Sequence, residues 1–203
     1  MKRTHVIDLV EEAIHHSYTY QEYKALLSHL LAEGKSTGHE QSEALTNYSL
    51  LNERRMKRLD KTLAIEKSVI DTFAKTQKKV IWLVLSEGWC GDAAQSLPVM
   101  NILAEVSDTI QLKIVSRDDH EQLMSNFLTN GGKAIPKLIV YNPQNQKVLN
   151  TWGPRPSIAT KMVNDYKSKY GSLDAQFKQD LQVWYNKDRG QNIAQDLLQL
   201  LQY

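Results

Sequence analysis

The sequence contains a single cysteine, Cys90, among its 203 residues. One thiol cannot close an intrachain disulfide, so the disulfide scaffolds of small secreted proteins are excluded, as is a zinc site built from several cysteines. A chain of this length buries enough surface on folding to hold a core without such crosslinks. Any chemistry that Cys90 performs therefore proceeds without a second cysteine in the same chain.

Long apolar runs and an excess of one charge are also missing. No stretch reaches the roughly 18 consecutive apolar residues of a membrane-spanning helix, and the first residues become charged too early for a secretory signal. Lys and Arg number 25 against 23 Asp and Glu, which leaves a net charge of +2 and no whole-chain case for nucleic acid or anionic lipid. We therefore expect a cytoplasmic protein with neither a membrane nor a nucleic-acid partner.

Other chemical motifs are incomplete. Residues 34–38 formally match G-x-S-x-G, but a helical pattern precedes them where a nucleophile elbow needs a strand. His29 stands where the first glycine of a P-loop belongs. The six histidines show no ligand spacing with one another or with a carboxylate. We therefore predict no bound metal and no cofactor.

A local basic run lies between residues 54 and 61 and could bind nucleic acid or an acidic partner. At helical spacing Arg54, Arg58 and Lys61 share one face. Glu53 and Asp60 lie beside them and balance part of the charge. The favoured interpretation is a solvated helix face.

The hydrophobic pattern is helical up to about residue 78 and alternates between strands and helices afterwards. Thr19 and Glu22 have the spacing of a capping box. The first strand pattern is the β-branched run Val80 to Leu85, and the order from there is strand, helix, strand, helix, hairpin and helices. We predict that Asp118 or Asp119 caps the second of these helices.

Cys90 falls where the first strand passes into a helix. Unpaired backbone N–H groups and the positive end of the helix dipole favour thiolate there, which lowers the thiol pKa from its reference of about 8.5. The charge of Asp92, two residues further on, opposes this effect if the carboxylate faces the sulfur. The sequence does not rank the two effects.

Two motifs resemble those of the thioredoxin family. The segment Trp89-Cys90-Gly91-Asp92-Ala93 resembles the W-C-G-P-C active-site motif, and Ile135-Pro136 resembles the cis-proline site. The resemblance covers roughly residues 63–170 and implies a thioredoxin-like α/β fold, a three-layer α/β/α sandwich around a central mixed sheet. The remaining segments, 1–62 and 171–203, would be helical N- and C-terminal extensions of that core. The added helices are similar to those of a bacterial thioredoxin-like branch.

The resemblance implies a thiol-disulfide oxidoreductase with an altered mechanism. The resolving cysteine of the family falls at Ala93, and the family's buried aspartate falls at Val84. Cys90 would then act as a catalytic monothiol on a protein or low-molecular-weight thiol or disulfide, with an external thiol resolving the mixed disulfide. The implied motif and substrate-groove residues are Trp89, Gly91, Asp92, Ala93, Ile135 and Pro136.

The missing second cysteine also supports a different function. In this alternative the chain is a redox-inactive thioredoxin-fold protein-binding module, and Cys90 is a buried, inert residue. A weaker third alternative pairs Cys90 with the same residue of a second copy. The sequence leaves the oligomeric state and the choice among these functions open.

Overall fold

The computed structural model describes residues 2–202, and the side chains of residues 5–201. Within that range the strands are β1 (Val80–Ser86), β2 (Ile110–Ser116), β3 (Lys137–Asn142) and β4 (Lys147–Trp152). The helices are α1 (Lys2–His15), α2 (Tyr20–Ala32), α3 (Glu43–Thr62), α4 (Lys67–Lys75), α5 (Gly91–Glu105), α6 (Glu121–Met124), α7 (Ser157–Tyr170), α8 (Ala175–Asp188) and α9 (Gln191–Gln199), followed by the 3-10 turn Leu200–Gln202.

The strands form one mixed sheet in the order β2-β1-β3-β4. β1 runs parallel to β2 and antiparallel to β3, and β3 and β4 form an antiparallel hairpin. Residues 82–85 of β1 are fully buried, as expected for a continuous apolar strand covered on both faces. The structure thus confirms the predicted α/β/α arrangement around a central mixed sheet, with additional helices at both ends of the chain.

The additional helices share the hydrophobic core of the sheet. One cluster of buried side chains extends from Val10 in α1 to Leu200 after α9. Between α1 and α2, Tyr18 exchanges two backbone hydrogen bonds of 2.8 Å with Ile114, so this segment pairs with the outer edge of β2. At the other end, the Gln191 side-chain amide donates to the carbonyl of Ala64, at 2.9 Å.

The structure confirms one of the two helix caps predicted from the sequence and contradicts the other. The predicted capping box of Thr19 and Glu22 opens α2 and is confirmed. The predicted cap at Asp118 or Asp119 is wrong, because α6 has a single turn and follows His120 without a side-chain cap. The Asp118 carboxylate instead forms an ion pair with Arg117, at 2.6 Å.

Among the described residues, no helix combines the length and the apolar character that a bilayer span requires.

Candidate functional site

Cys90 is the N-cap residue of α5, directly after the turn that leaves β1. Its backbone N–H donates to the carbonyl of Glu87 at 3.0 Å, and its own carbonyl accepts from Ala94 at 3.1 Å. The extended φ and ψ of −81° and 113° end the turn and allow the helix to begin at Gly91. The predicted placement of the cysteine at a helix N-terminus is therefore correct.

The turn before Pro136 lies against the sulfur of Cys90. The Ile135–Pro136 peptide bond is cis, as predicted. The Cys90 Sγ donates a hydrogen bond of 3.3 Å to the Ile135 carbonyl, and Ile135 and Pro136 are both buried. The two motifs that carried the family resemblance thus meet at one place in the fold.

The Cys90 side chain is buried, with 8% of the residue exposed. Burial raises the pKa of the thiol to about 12, and the charge of Asp92 contributes to the rise. The backbone N–H groups of Ala93 and Asp92 and the charge of Arg155 act in the opposite direction and are outweighed. The expectation that the helix N-terminus activates the sulfur is therefore not met in this structure, because removal from water is the larger effect.

The Asp92 carboxylate joins α5 to two more distant parts of the chain. It accepts a hydrogen bond of 2.9 Å from the Tyr185 hydroxyl on α8, and it forms an ion pair of 2.7 Å with the Arg155 guanidinium. Burial raises the pKa of Asp92 above its ordinary value, while Arg155 and Tyr185 oppose the rise by stabilising the carboxylate. Asp92 thus anchors α8 and the segment before α7 to the cysteine motif.

α3 and α8 lie over the cysteine motif. The Asn52 side-chain amide of α3 donates to the Gly88 carbonyl at 2.9 Å, in a buried position. A Cβ added to Gly91 would lie 3.4 Å from a guanidinium nitrogen of Arg55 and 3.4 Å from the amide nitrogen of Gln182. Helices α3 and α8 therefore cover the cysteine motif at Gly88 and Gly91.

Hydrogen bonds from two other segments also fix the turn between β1 and Cys90. The Gly88 N–H donates to the Thr37 hydroxyl at 2.7 Å. The buried Glu87 carboxylate accepts from the Ser116 hydroxyl at 2.9 Å and from the Asp118 N–H at 3.0 Å. Burial raises the pKa of Glu87 in spite of these hydrogen bonds. The turn is thus fixed from the loop before α3 and from the end of β2.

Most of the predicted site residues lie in the interior. Ala93, at the position of the family's resolving cysteine, is 1% exposed. Trp89 is half-buried, and the Arg117 guanidinium lies over its ring at 5.0 Å. Only Trp89 and Gly91 among the predicted motif and groove residues have more than marginal exposure.

Sequence reasoning missed the residues that surround the motif. Asn52, Arg55, Glu87, Arg155 and Tyr185 all contact or face it, yet only Arg155 had a local signal. It stands between two prolines directly after β4, where a charged side chain is held close to the end of the sheet. Asn52, Arg55 and Tyr185 reach the motif through helix packing, which local spacing does not encode. Glu87 lies in the turn that directly precedes Cys90. Within the described side chains, no three His, Cys, Asp or Glu residues converge as a metal site would require.

Comparison with known proteins identifies the family. A family sequence profile described as Thioredoxin matches residues 38–167, and the chain belongs to the thioredoxin family. No curated protein sequence matches the chain. A crystal structure of a protein of unknown function from Pseudomonas aeruginosa is similar, with 16% identity and a TM-score of 0.57 over 91% of this chain and 98% of that one. An HIV epitope-scaffold structure is similar at 15% identity and a TM-score of 0.56, with the same coverage. These two likenesses show the fold alone.

Proposed function

We propose that the chain is a redox-inactive thioredoxin-fold protein-binding module, in which the family's active-site thiol has become an interior residue. The enclosure of Cys90 carries this proposal, because only 8% of the residue is exposed and α3 and α8 contact Gly88 and Asp92 on either side of it. Thiol-disulfide exchange requires a partner sulfur to approach the attacking sulfur directly. A partner cannot do so while the two helices cover the motif.

The protonation state of Cys90 supports the same conclusion. Thiolate is the attacking species in disulfide exchange. Because burial raises the thiol pKa to about 12, nearly all of the thiol is protonated at pH 7. A solvent-exposed cysteine with the reference pKa of about 8.5 is ionised several per cent of the time at that pH. The folded protein is therefore a poor nucleophile at Cys90.

The alkylation rate of Cys90 as a function of pH tests this proposal. Iodoacetamide is added to the native protein and to the protein unfolded in urea, with Cys90→Ser as the blank for reaction at other side chains. We expect the native thiol to react at least about 100 times more slowly than the unfolded thiol at pH 8, because only the thiolate reacts and access is blocked. Fast native alkylation with a midpoint below about 8.5 would contradict the proposal.

Monothiol exchange remains the second candidate, because one observation favours it. The Cys90 sulfur lies 3.3 Å from the Ile135 carbonyl beside the cis-proline, which is the pairing position for an extended substrate in this family. In this mechanism the thiolate attacks a partner disulfide, forms a mixed disulfide and releases the partner's second thiolate. An external protein or low-molecular-weight thiol then attacks the mixed disulfide and restores Cys90.

The two candidate functions differ in whether a mixed disulfide of Cys90 can be trapped in the folded protein. Exchange requires α3 or α8 to move away from Cys90, and it predicts a mixed disulfide with an aromatic disulfide reagent under native conditions. The binding module predicts that no such adduct forms until the protein unfolds. Pairing of Cys90 with a second copy requires the same exposure, so non-reducing electrophoresis of thiol-blocked protein tests that alternative together with exchange.

A further inference from the structure

The outward face of α3 combines exposed apolar and basic side chains. Tyr48 and Leu51 are 57% and 44% exposed, and they precede the basic run along the same helix. We refer to this set of side chains as the α3 outer surface. Its members are Tyr48, Leu51, Arg54, Arg58 and Lys61.

The carboxylates that lie beside this run in the sequence neutralise only part of its charge. Glu53 is buried and forms an ion pair of 2.7 Å with Lys57. Asp60 forms an ion pair with Lys24 of α2 and accepts a hydrogen bond from Tyr20. Glu53 thus pairs within the run and Asp60 pairs with α2, so the charge balance that the sequence indicated is partial on this helix.

The side chain that hydrogen-bonds to a basic member of this surface is neutral. Arg58 donates to the Asn186 amide oxygen at 2.7 Å, and beside this surface Arg55, which faces the cysteine motif, donates to the Asn52 amide oxygen at 2.8 Å. Among the described side chains, no carboxylate lies within 4.0 Å of Arg54, Arg55, Arg58 or Lys61. A guanidinium in such surroundings gains a charge-assisted, bidentate hydrogen bond when an external carboxylate arrives.

The spacing of these side chains sets the length and the pattern of the surface that a partner would contact. Leu51, Arg54, Arg58 and Lys61 follow one another at intervals of three or four residues and form a single stripe on the helix. At 1.5 Å per residue the stripe is about 15 Å long, which is the length of about three helical turns. Its apolar end adjoins Tyr48, and its basic end runs toward α8.

We propose that the α3 outer surface binds an acidic, amphipathic segment of a partner protein. The partner's carboxylates pair with the arginines, and its apolar side chains pack on Leu51 and Tyr48, so charge and hydrophobic pattern are both complementary. This assignment rests on the proposed function, since it names the kind of partner that the binding module takes.

Nucleic acid fits the same surface less well. A phosphate backbone would satisfy the arginines, but it gains nothing from the exposed Leu51. The net charge of the whole chain is +2, which gives little of the long-range attraction on which nucleic-acid binding depends. Nucleic acid is therefore a competing outcome of the test and not a second proposal.

The test measures binding of three fluorescein-labelled probes by anisotropy. The first probe is a helical peptide of Glu and Leu in an amphipathic pattern, the second has Lys in place of every Glu, and the third is a single-stranded oligonucleotide. Wild-type protein is compared with Arg54→Glu/Arg58→Glu and with Arg54→Lys/Arg58→Lys. A matched control, Lys147→Glu/Lys167→Glu, makes the same change of charge at exposed positions on β4 and α7.

We expect the wild type to bind the Glu-Leu peptide and to lose affinity as salt is raised. The double charge reversal should weaken this binding by about tenfold or more, while the matched control stays within about threefold of wild type. The lysine variant keeps the charge but loses the bidentate geometry, so it should weaken binding by less than the reversal does. The proposal is overturned if the acidic peptide does not bind, if the control weakens binding as much as the reversal, or if the oligonucleotide binds more tightly than the peptide.

The alkylation of Cys90 is measured on the same samples and separates the two proposals. Slow alkylation without peptide binding overturns the α3 outer surface and leaves the redox-inactive module in place. Fast alkylation overturns the redox-inactive module whatever the peptide does. Because Arg54 and Arg58 are exposed, circular dichroism of the variants should match that of the wild type.

Discussion

The Tyr185 hydroxyl on α8 donates a 2.9 Å hydrogen bond to the Asp92 carboxylate on α5, across 93 positions of sequence. Both groups are buried, and the Arg155 guanidinium contacts the other oxygen of the same carboxylate. Part of the C-terminal extension is thereby tied to the second residue after Cys90. Coverage of the thiol depends on this polar contact as well as on apolar packing.

Replacing Tyr185 by Phe should lower the free energy of unfolding by about 1.5 to 3 kcal/mol, because a buried hydrogen bond to a charged group is lost. Urea denaturation of the wild type and Tyr185→Phe measures the difference. The matched control is Tyr170→Phe on α7, where the side chain is 56% exposed and the expected change is within about 0.5 kcal/mol. Equal losses in the two variants would contradict the assigned role of Tyr185.

Replacing Asp92 by Asn should make Cys90 more reactive while making the protein less stable. The pKa of Cys90 falls from about 12 because a neighbouring negative charge is removed, but it stays above the reference because burial is the larger cause. The free energy of unfolding falls by about 2 to 3 kcal/mol, since the Arg155 guanidinium loses its charged partner.

The alkylation midpoint and urea denaturation measure these two effects of Asp92→Asn separately. The exposed Asp108→Asn serves as the control for removal of a carboxylate elsewhere. An unchanged alkylation midpoint in Asp92→Asn would show that the carboxylate does not act on the sulfur.

Glu87 should make stability depend on pH. Burial raises its pKa in the folded state, so the folded protein binds a proton more tightly than the unfolded chain does. This contribution to stability is present below the ordinary Glu pKa of about 4.3 and is lost as pH rises through the folded-state value. Relative to wild type, Glu87→Gln should therefore gain stability as pH is raised through this window and keep that gain above it.

Chemical denaturation of Glu87→Gln and wild type at a series of pH values checks this expectation. The exposed Glu40→Gln provides the control. A stability difference that does not vary with pH, or that moves in the opposite direction, would show that Glu87 does not bind a proton more tightly in the folded protein.

Gly153 should be among the least replaceable residues in the chain. Its φ is +109°, and a Cβ at this position would lie 2.1 Å from the Pro136 carbonyl oxygen, a distance at which backbone must move. We expect Gly153→Ala to lower the free energy of unfolding by more than about 3 kcal/mol. Gly171→Ala is the control, since its φ of +80° is similar but no atom lies within 4 Å of the added Cβ. It should cost about 1 to 2 kcal/mol, from backbone conformation alone.

The order of elements followed from the sequence because local patterns specify it. The apolar run at Val80 to Leu85 predicted the buried strand, and the Thr19–Glu22 spacing predicted the start of α2. Local signals also placed Cys90 at a helix start, and the family resemblance implied the cis bond before Pro136. The capping prediction at Asp118 failed because Arg117 competes for the same carboxylate.

The surroundings of Cys90 did not follow from the sequence, since they depend on how distant helices pack. Asn52 and Tyr185 reach the motif from opposite ends of the chain, and neither has a motif of its own. The competition between helix dipole and Asp92, which local reasoning left open, is decided by a third effect. Burial beneath α3 and α8 is a property of the tertiary structure, and it dominates the pKa of the thiol.

The pairing of Tyr18 with Ile114 has a consequence for biosynthesis. The N-terminus of the chain leaves the ribosome first, so α1 and α2 emerge well before β2, with whose edge Tyr18 pairs. The contact between Gln191 and Ala64 is completed later still. The apolar side of α1, which packs against β2 and α6, therefore remains uncovered until those elements have been made, and the nascent chain must avoid aggregation during that interval.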